Sequence, residues 1–108
     1  MEDPRGRIRQ IVAEMLTGHV DWVEGCRLVA QLASSDSELR EDPALVGIIG
    51  VESETDEFPL GEQRRRCSRE ALARLDDERV AYLEKVRESL LADCADVLAR
   101  FSAVGSRD

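Results

Sequence analysis

The residues of this 108-residue chain with the clearest chemistry are carboxylates, and they are concentrated in one segment. Residues 36–62 contain nine acids and one base, and this segment carries the whole net charge of −8. A charge run of this kind determines partners and solubility rather than fold. Side chains of this type attract lysine and arginine and accelerate encounter with a basic protein. The predicted partner-binding residues are Glu52, Glu54, Asp56, Glu57 and Glu62.

Two other interpretations of the same acids stay open at this stage. Together with Ser53 and Thr55, the acids are also typical of turns in which side-chain oxygens accept from backbone amides, or of a solvated surface. The neighbouring run Arg64–Arg66, with Arg69, is predicted to fold back and neutralise part of the charge. Hard cations also bind several carboxylates, but the spacing of an EF-hand loop is absent, so we predict no metal site.

No set of residues with a catalytic pattern stands out. Cys26, Cys67 and Cys94 form no CxxC pair, which gives no sign of a disulfide framework or a zinc site. Cys26 and Cys94 lie on apolar helical faces, whereas Cys67 follows three arginines that would favour its thiolate. His19 is the only histidine and has no matched nucleophile. We therefore predict no catalytic residue, no cofactor and no enzyme.

Composition and length narrow the class of protein further. The acidic balance argues against a nucleic-acid partner, because phosphates would be repelled. No run approaches the roughly 20 apolar residues of a membrane span, and no secretory signal is recognisable. The expectation is a cytoplasmic protein without membrane contact. The length fits one domain over residues 1–108, and an aromatic content of 4% predicts an aliphatic core.

The first third of the chain predicts an antiparallel helical hairpin. Asp3-Pro4 is typical of a helix start, and Gly18 of a helix end. Asp21 then begins a second helix, and Gly25 would let the two backbones approach closely. The connection is so short that the second helix is expected to run antiparallel to the first and to pack against it. Residues on one face of the first helix follow the spacing i, i+3, i+4, i+7, i+8: Ile8, Ile11, Val12, Met15 and Leu16.

The middle of the chain is harder to interpret. Residues 34–41 are polar and are predicted to form a loop. Asp42-Pro43 repeats the pattern of a helix start. Residues 45–51 are rich in β-branched side chains and contain two glycines, so the segment is compatible with either a buried strand or a helix. The helix-start signal at Asp42-Pro43 and the absence of a second strand to pair with favour the helix. Residues 52–67 show no period, which predicts a long loop.

The last third predicts the longest element. Ser68 is expected to cap a short helix that ends near Leu75, and Asp76 or Asp77 to cap a long helix that runs to about Ala103. Whether the two are continuous is left open by the pattern. The predicted fold is all-α, a four- to five-helix bundle with an N-terminal helical hairpin and a long C-terminal helix.

Three blocks of the sequence carry a resemblance to a family of short bacterial stand-alone proteins. Residues 16–27, LTGHVDWVEGCR, resemble its L-x-G-x-x-x-x-x-E-G-x-R stretch, and residues 51–61, VESETDEFPLG, are similar to its S-E-T-D-x-x-P-x-G signature. Residues 68–72, SREAL, resemble the block that follows, although Cys67 stands where that family has an aromatic residue. The family is uncharacterised, so the resemblance implies no catalytic residue.

Three functions are compatible with these features. The leading hypothesis is a protein-interaction module that masks a basic partner, of which a bacterial toxin-neutralising (immunity) protein is one version. The alternatives are a structural protein that self-associates, for example as a homodimer through its long helix, and a small-ligand binder that uses the acids beside the arginines.

Overall fold

A computed structural model describes residues 4–105 of the chain, with side chains described for residues 4–101. The all-α prediction is confirmed, because these residues form helices and no strand. The expected cap at Asp3 lies outside the described residues. The helices are α1 (Pro4–Leu16), α2 (Trp22–Ala33), α3 (Ser37–Arg40), α4 (Pro43–Glu54), α5 (Glu62–Arg65) and α6 (Arg69–Gly105).

Four of these helices form the bundle. Helix α1 packs on α2 and α6, and α4 packs on α2 and α6, so the four close into a ring of contacts. The remaining two, α3 and α5, are four residues long and act as connections. The predicted four- to five-helix bundle is confirmed, but both single turns lie in segments that were predicted to be loops. In residues 52–67, which were expected to form one long loop, residues 52–54 end α4 and residues 62–65 form α5.

The predicted hairpin of α1 and α2 is present. Gly18 ends the first helix with a φ of +84°, a conformation that glycine adopts without the strain a side chain would bring. Trp22 donates from Nε1 to the carbonyl of Met15 at 3.1 Å, which ties the start of α2 to the end of α1. A Cβ added at Gly25 would lie 2.5 Å from the Met15 side chain. The absence of a side chain at this position thus permits the close packing of the two helices.

The prediction that residues 34–41 form a loop is wrong in part. Asp36 accepts from the amides of Glu38 and Leu39 and starts the single turn of α3, which inserts Leu39 into the core. A helix of one turn has no period, so the sequence pattern did not reveal it. Residues 45–51 are helical, as the start signal at Asp42 favoured, and the amide of Ala44 donates to the Asp42 carboxylate at 2.9 Å.

The prediction that Asp76 or Asp77 begins the last helix is also wrong. Helix α6 starts at Arg69, where Ser68 caps it by accepting from the amide of Ala71 at 3.1 Å. No glycine or proline interrupts residues 69–104, so nothing breaks the hydrogen-bond ladder at the aspartates. The 37 residues of α6 give a length of about 55 Å.

The two halves of α6 are packed differently. Its C-terminal half joins the core through its fully buried side chains, whereas Leu75 and Leu83 in its N-terminal half are half-buried and Val80 is 63% exposed. Arg79, which forms an ion pair with Asp21, fastens the N-terminal half to the hairpin. No helix within residues 4–105 has the length and apolar character to cross a membrane. The buried side chains of α6 are Leu90, Cys94, Val97 and Phe101.

Candidate functional site

The five acids predicted to bind a partner all lie at one junction of the fold, from the last turn of α4 to the start of α5. Glu52 and Glu54 are on α4, Asp56 and Glu57 are in the turn that follows, and Glu62 begins α5. Glu52 is half-buried, and the other four are exposed. We refer to these five residues as the acidic surface.

The turn that carries the acidic surface is held from beneath by Arg27 of α2. Its Nη2 atom donates to the carbonyl of Thr55 at 2.8 Å and to the carbonyl of Phe58 at 3.0 Å. Thr55 is fully buried and donates from its hydroxyl to the carbonyl of Val51 at 2.7 Å. Phe58 is only 5% exposed. The backbone of this turn is therefore fixed from within, while the side chains of Asp56 and Glu57 on it are exposed to solvent.

Arg27 is the last residue of the first block that carries the family resemblance, but the sequence gives no sign of its structural role. It follows Cys26 on α2 and bonds residues 28 and 31 positions away, a separation that no local pattern reveals. It links the first two blocks that carry the family resemblance, since Arg27 ends one and Thr55 lies in the other. The two blocks therefore meet in space.

The position of the acidic surface relative to α4 is electrostatically unfavourable. The C-terminus of a helix bears a partial negative charge, which favours cations and disfavours acids. The last turn of α4 contains no basic residue, yet Glu52 and Glu54 lie there and Asp56 and Glu57 follow directly. Arg27 offsets this charge only at the carbonyls beneath the turn. The acids thus concentrate negative potential where the helix already supplies it.

One member of the acidic surface has a partner on α6. The hydroxyl of Tyr82 donates to the Glu54 carboxylate. Burial of the phenol, and then the hydrogen bond and charge of Glu54, raise the pKa of Tyr82 to about 12. Tyr82 therefore keeps its proton at neutral pH and serves as a donor. The sequence gives no sign of this role of Tyr82, because only the packing of α4 against α6 brings it to Glu54.

Beside this pair lies an open groove of about 460 Å³ between α4 and α6. Glu54 and Tyr82 line it together with Asp93 of α6. Burial, and then the charge of Asp96, raise the pKa of the Asp93 carboxyl above its usual range. A Cβ on Gly47 of α4 would overlap the Asp93 carboxylate, so the two helices approach closely there.

The arginine run is divided between two partners. Both terminal nitrogens of Arg64 donate to the carboxylate of Asp76 on α6, each at 2.9 Å. This hydrogen-bonded pair lowers the pKa of Asp76 and raises the pKa of Arg64. Arg65 lies 3.5 Å from Glu62, and both side chains are more than 80% exposed. The prediction that the run folds back on the adjacent acids thus describes Arg65 but not Arg64.

The thiols and the histidine supply no catalytic arrangement among the described residues. Burial raises the pKa of Cys26 to about 12 and that of Cys94 to about 11, so both remain protonated at neutral pH. The Cys67 thiol is half-buried, 3.6 Å from the Gln63 carbonyl. His19 contacts a threonine hydroxyl in the exposed turn after α1. Within the described part of the chain, no group of three or more His, Cys, Asp or Glu residues is placed to hold a metal ion.

Comparison with known proteins identifies a family for this chain. The model of a family described as "Protein of unknown function (DUF2489)" matches residues 3–97. No curated protein matches the chain, and no solved structure does.

Proposed function

Since the chain belongs to this DUF2489 family, whose description assigns no activity, we propose a function from the geometry: a protein-interaction module that masks a basic segment of a partner through its acidic surface. The observation that carries the proposal is the placement of four of these acids at the negative end of α4, beside a turn that Arg27 holds in place. Asp56 and Glu57 are exposed and make no hydrogen bond or ion pair with any residue that the structure describes.

The first support is energetic. An acid near the C-terminus of a helix is unfavourable by roughly 0.3–1 kcal/mol at low ionic strength. Folding alone therefore gives no reason for the acids Asp56 and Glu57, which have no described partner, directly after α4. A lysine or arginine from a partner reverses the sign of this interaction, and the same field steers the partner toward the surface before contact.

The second support is preorganisation. Binding costs free energy when it has to order a loop, and a rigid surface avoids that cost. The buried Thr55 and Phe58 side chains and the two bonds from Arg27 fix the turn in the free protein. A basic partner thus meets acids that already have a defined arrangement.

The concrete form that we propose is a short bacterial toxin-neutralising (immunity) protein, which acts by covering its target rather than by catalysis. Such a role needs a stable scaffold and a surface of one charge. The helical bundle, with a ring of four packed helices and this acidic junction, has both.

A double charge reversal tests the proposal. In Asp56→Lys with Glu57→Lys, two exposed acids without described partners become basic, so the fold is expected to persist while capture of a basic protein from the native cell is lost. The matched control is Glu38→Lys with Glu41→Lys, which makes the same change in net charge at exposed positions around α3. The proposal requires that the control and wild type capture the same basic protein, more weakly as salt rises. Equal capture by both double variants would refute it.

A second candidate, self-association, is favoured by a different observation. Val80 is 63% exposed on α6, and it borders the half-buried Leu83 and Trp22. Light scattering over a dilution series, with wild type and Val80→Glu, tests it. A concentration-dependent dimer that Val80→Glu abolishes supports self-association, and a monomer throughout removes it.

A further inference from the structure

The groove between α4 and α6 has a carboxylate near each end. At one end Tyr82 donates to Glu54, and at the other Asp93 packs against Gly47. Gly47 and Glu54 are seven residues apart on α4, which separates them by about 10 Å along the helix axis. The two carboxylates are therefore spaced along the groove rather than clustered at one point.

Between these ends the groove is mainly apolar and has room. Val51 of α4 and Val86 of α6 line it, Ser53 and Ser89 add two hydroxyls, and the exposed Gly50 contributes no side chain. A Cβ added at Gly50 would meet no atom within 4 Å, so this space is open rather than filled by a neighbour. The volume of about 460 Å³ lies within the range of small-molecule sites. A hydrocarbon chain fits the middle of such a groove better than a polar one.

The carboxylate at the Asp93 end lacks a counter-charge. Among the residues that the structure describes, Asp93 makes no hydrogen bond and no ion pair, and Asp96 on the next turn adds a like charge. A partly buried carboxylate without a partner is unfavourable, and a bound cation would compensate it. At the opposite end, the proton that Tyr82 donates leaves the other oxygen of Glu54 available to a cation.

We propose that this groove binds a linear aliphatic diamine, with one ammonium group at Asp93, the other at Glu54 beside Tyr82, and the methylene chain along Val51, Gly50 and Val86. This inference is independent of the proposed protein partner. It shares only Glu54 with the acidic surface, and two of its determinants, Asp93 and Gly50, are not part of that surface.

Calorimetric titration of the full chain with terminal diamines tests the proposal. Diaminobutane, diaminohexane and diaminooctane vary the distance between the two ammonium groups, and hexylamine supplies a single ammonium group on a similar chain. We expect one diamine length to bind at least about tenfold more tightly than hexylamine, because a second charge contact is gained. Equal affinity of hexylamine and every diamine would overturn the proposal in favour of a site for a single ammonium, such as a lysine side chain. The absence of a binding signal for all four amines would also overturn it.

Two variants locate the binding. Asp93→Asn is expected to reduce the affinity of the best diamine to that of hexylamine, whereas Asp77→Asn, at an exposed position on α6, leaves the affinity unchanged. Gly50→Leu is expected to fill the groove and abolish binding. Gly50→Ala checks that substitution at this position permits folding, since its Cβ meets no atom. Circular dichroism confirms that each variant is folded before titration.

Unchanged diamine affinity in both Asp93→Asn and Gly50→Leu would place the ligand elsewhere and refute the groove. These variants leave Asp56 and Glu57 intact, so they are expected to retain the basic protein partner. Diamine binding and partner binding can therefore fail separately.

Discussion

The acidic segment consists of two regions, residues 36–42 and residues 52–62. Both are negatively charged, but the first places acids at helix N-termini and the second places most of its acids at a helix C-terminus. In residues 36–42, Asp36 and Asp42 lie at the N-termini of α3 and α4, and their carboxylates accept from backbone amides. In residues 52–62, four of the acids lie at the C-terminus of α4 and Glu62 begins α5. None of the five accepts a described hydrogen bond from a backbone amide. Position relative to a helix end, rather than the number of charges, thus separates acids that cap a helix from acids that do not.

The two acidic regions also differ in the basic residues around them. Arg100 of α6 lies 3.5 Å from the Asp42 carboxylate, which is therefore both a cap and part of an ion pair. Residues 36–42 also contain their own base, Arg40, whereas residues 52–62 contain none. Arg27 reaches the turn after α4, but its described bonds go to carbonyls rather than to the acids. Glu62, at the start of α5, is paired with Arg65.

The largest effect is expected from the residue that makes the second region rigid. Arg27→Met should destabilise the protein by about 2–3 kcal/mol, because two hydrogen bonds from a charged donor to partly buried carbonyls are lost. Urea denaturation measures the change, with Arg40→Met as the control at an exposed position. A loss as small as that of the control would show that the turn holds its shape without Arg27.

A smaller loss should come from the first region. Asp42→Ala removes the cap of α4 and is expected to destabilise by about 1 kcal/mol, in the usual range for an N-cap. Asp42→Asn keeps an oxygen that accepts from the Ala44 amide but removes the charge opposite Arg100, so its loss should be smaller. Thermal unfolding distinguishes the two variants. Equal losses would assign the stabilisation to the ion pair instead of the cap.

Neutralising an acid in residues 52–62 should raise the free energy of unfolding, whereas the loss of Asp42 in residues 36–42 lowers it. Asp56→Asn and Glu57→Gln are each expected to stabilise by a few tenths of a kcal/mol at low ionic strength, because a negative charge near the C-terminus of α4 is removed. Added salt should abolish this gain, since the charges are exposed. Urea denaturation at low and high salt measures it. If either variant lowered the stability, the acids of the second region would stabilise the fold as those of the first region do, and the contrast would be wrong.

The smallest expected effects on stability come from two carboxyl groups of α6, Asp76 and Asp93, and they depend on pH. Arg64 holds the pKa of Asp76 below its ordinary 3.8, so this carboxylate stabilises the fold at neutral pH and loses that contribution as the pH falls through its lowered value. Burial raises the pKa of Asp93 above 3.8, so its ionised form opposes folding once the pH has risen through the raised value.

Asp76→Asn should accordingly be less stable than wild type at neutral pH, and Asp93→Asn more stable. Both differences should close as the solution is acidified and the native carboxyl groups become protonated. Thermal unfolding of the three proteins across this range provides the measurement. The same sign for both variants would contradict the assignment of Asp76 as paired and Asp93 as unpaired.

The parts of the fold that the sequence predicted are those with local signals. Asp21 and Asp42 begin helices because each accepts from an amide two or three residues later, an interaction within reach of any sequence pattern. Asp76 imitates such a signal, but its carboxylate bonds Arg64, twelve residues earlier, and the helix runs through it without a break. The distinction depends on a tertiary contact and is not encoded in the residues around the aspartate.

The same limit applies to the candidate sites. The exposed acids at the end of α4 were predictable, because a dense run of like charges cannot be buried. The groove was not, because Tyr82 and Asp93 reach Glu54 and Gly47 only when α4 and α6 pack at one particular rotation. Membership of a family of unknown function supplies no substitute for that geometry.

The uneven packing of α6 has a consequence for how the molecule fluctuates. Amide protons around Leu90 to Val97 are protected by the core and should exchange with solvent only on global unfolding. Those near Leu75 to Leu83 should exchange through a local opening of lower free energy, because that half is held by half-buried leucines and by polar contacts at its surface. These contacts are the Arg79–Asp21 and Arg64–Asp76 pairs and the hydrogen bond from Tyr82 to Glu54. High ionic strength weakens such a pair and should quicken this opening alone. A single unbroken helix would then contain two units of different cooperativity.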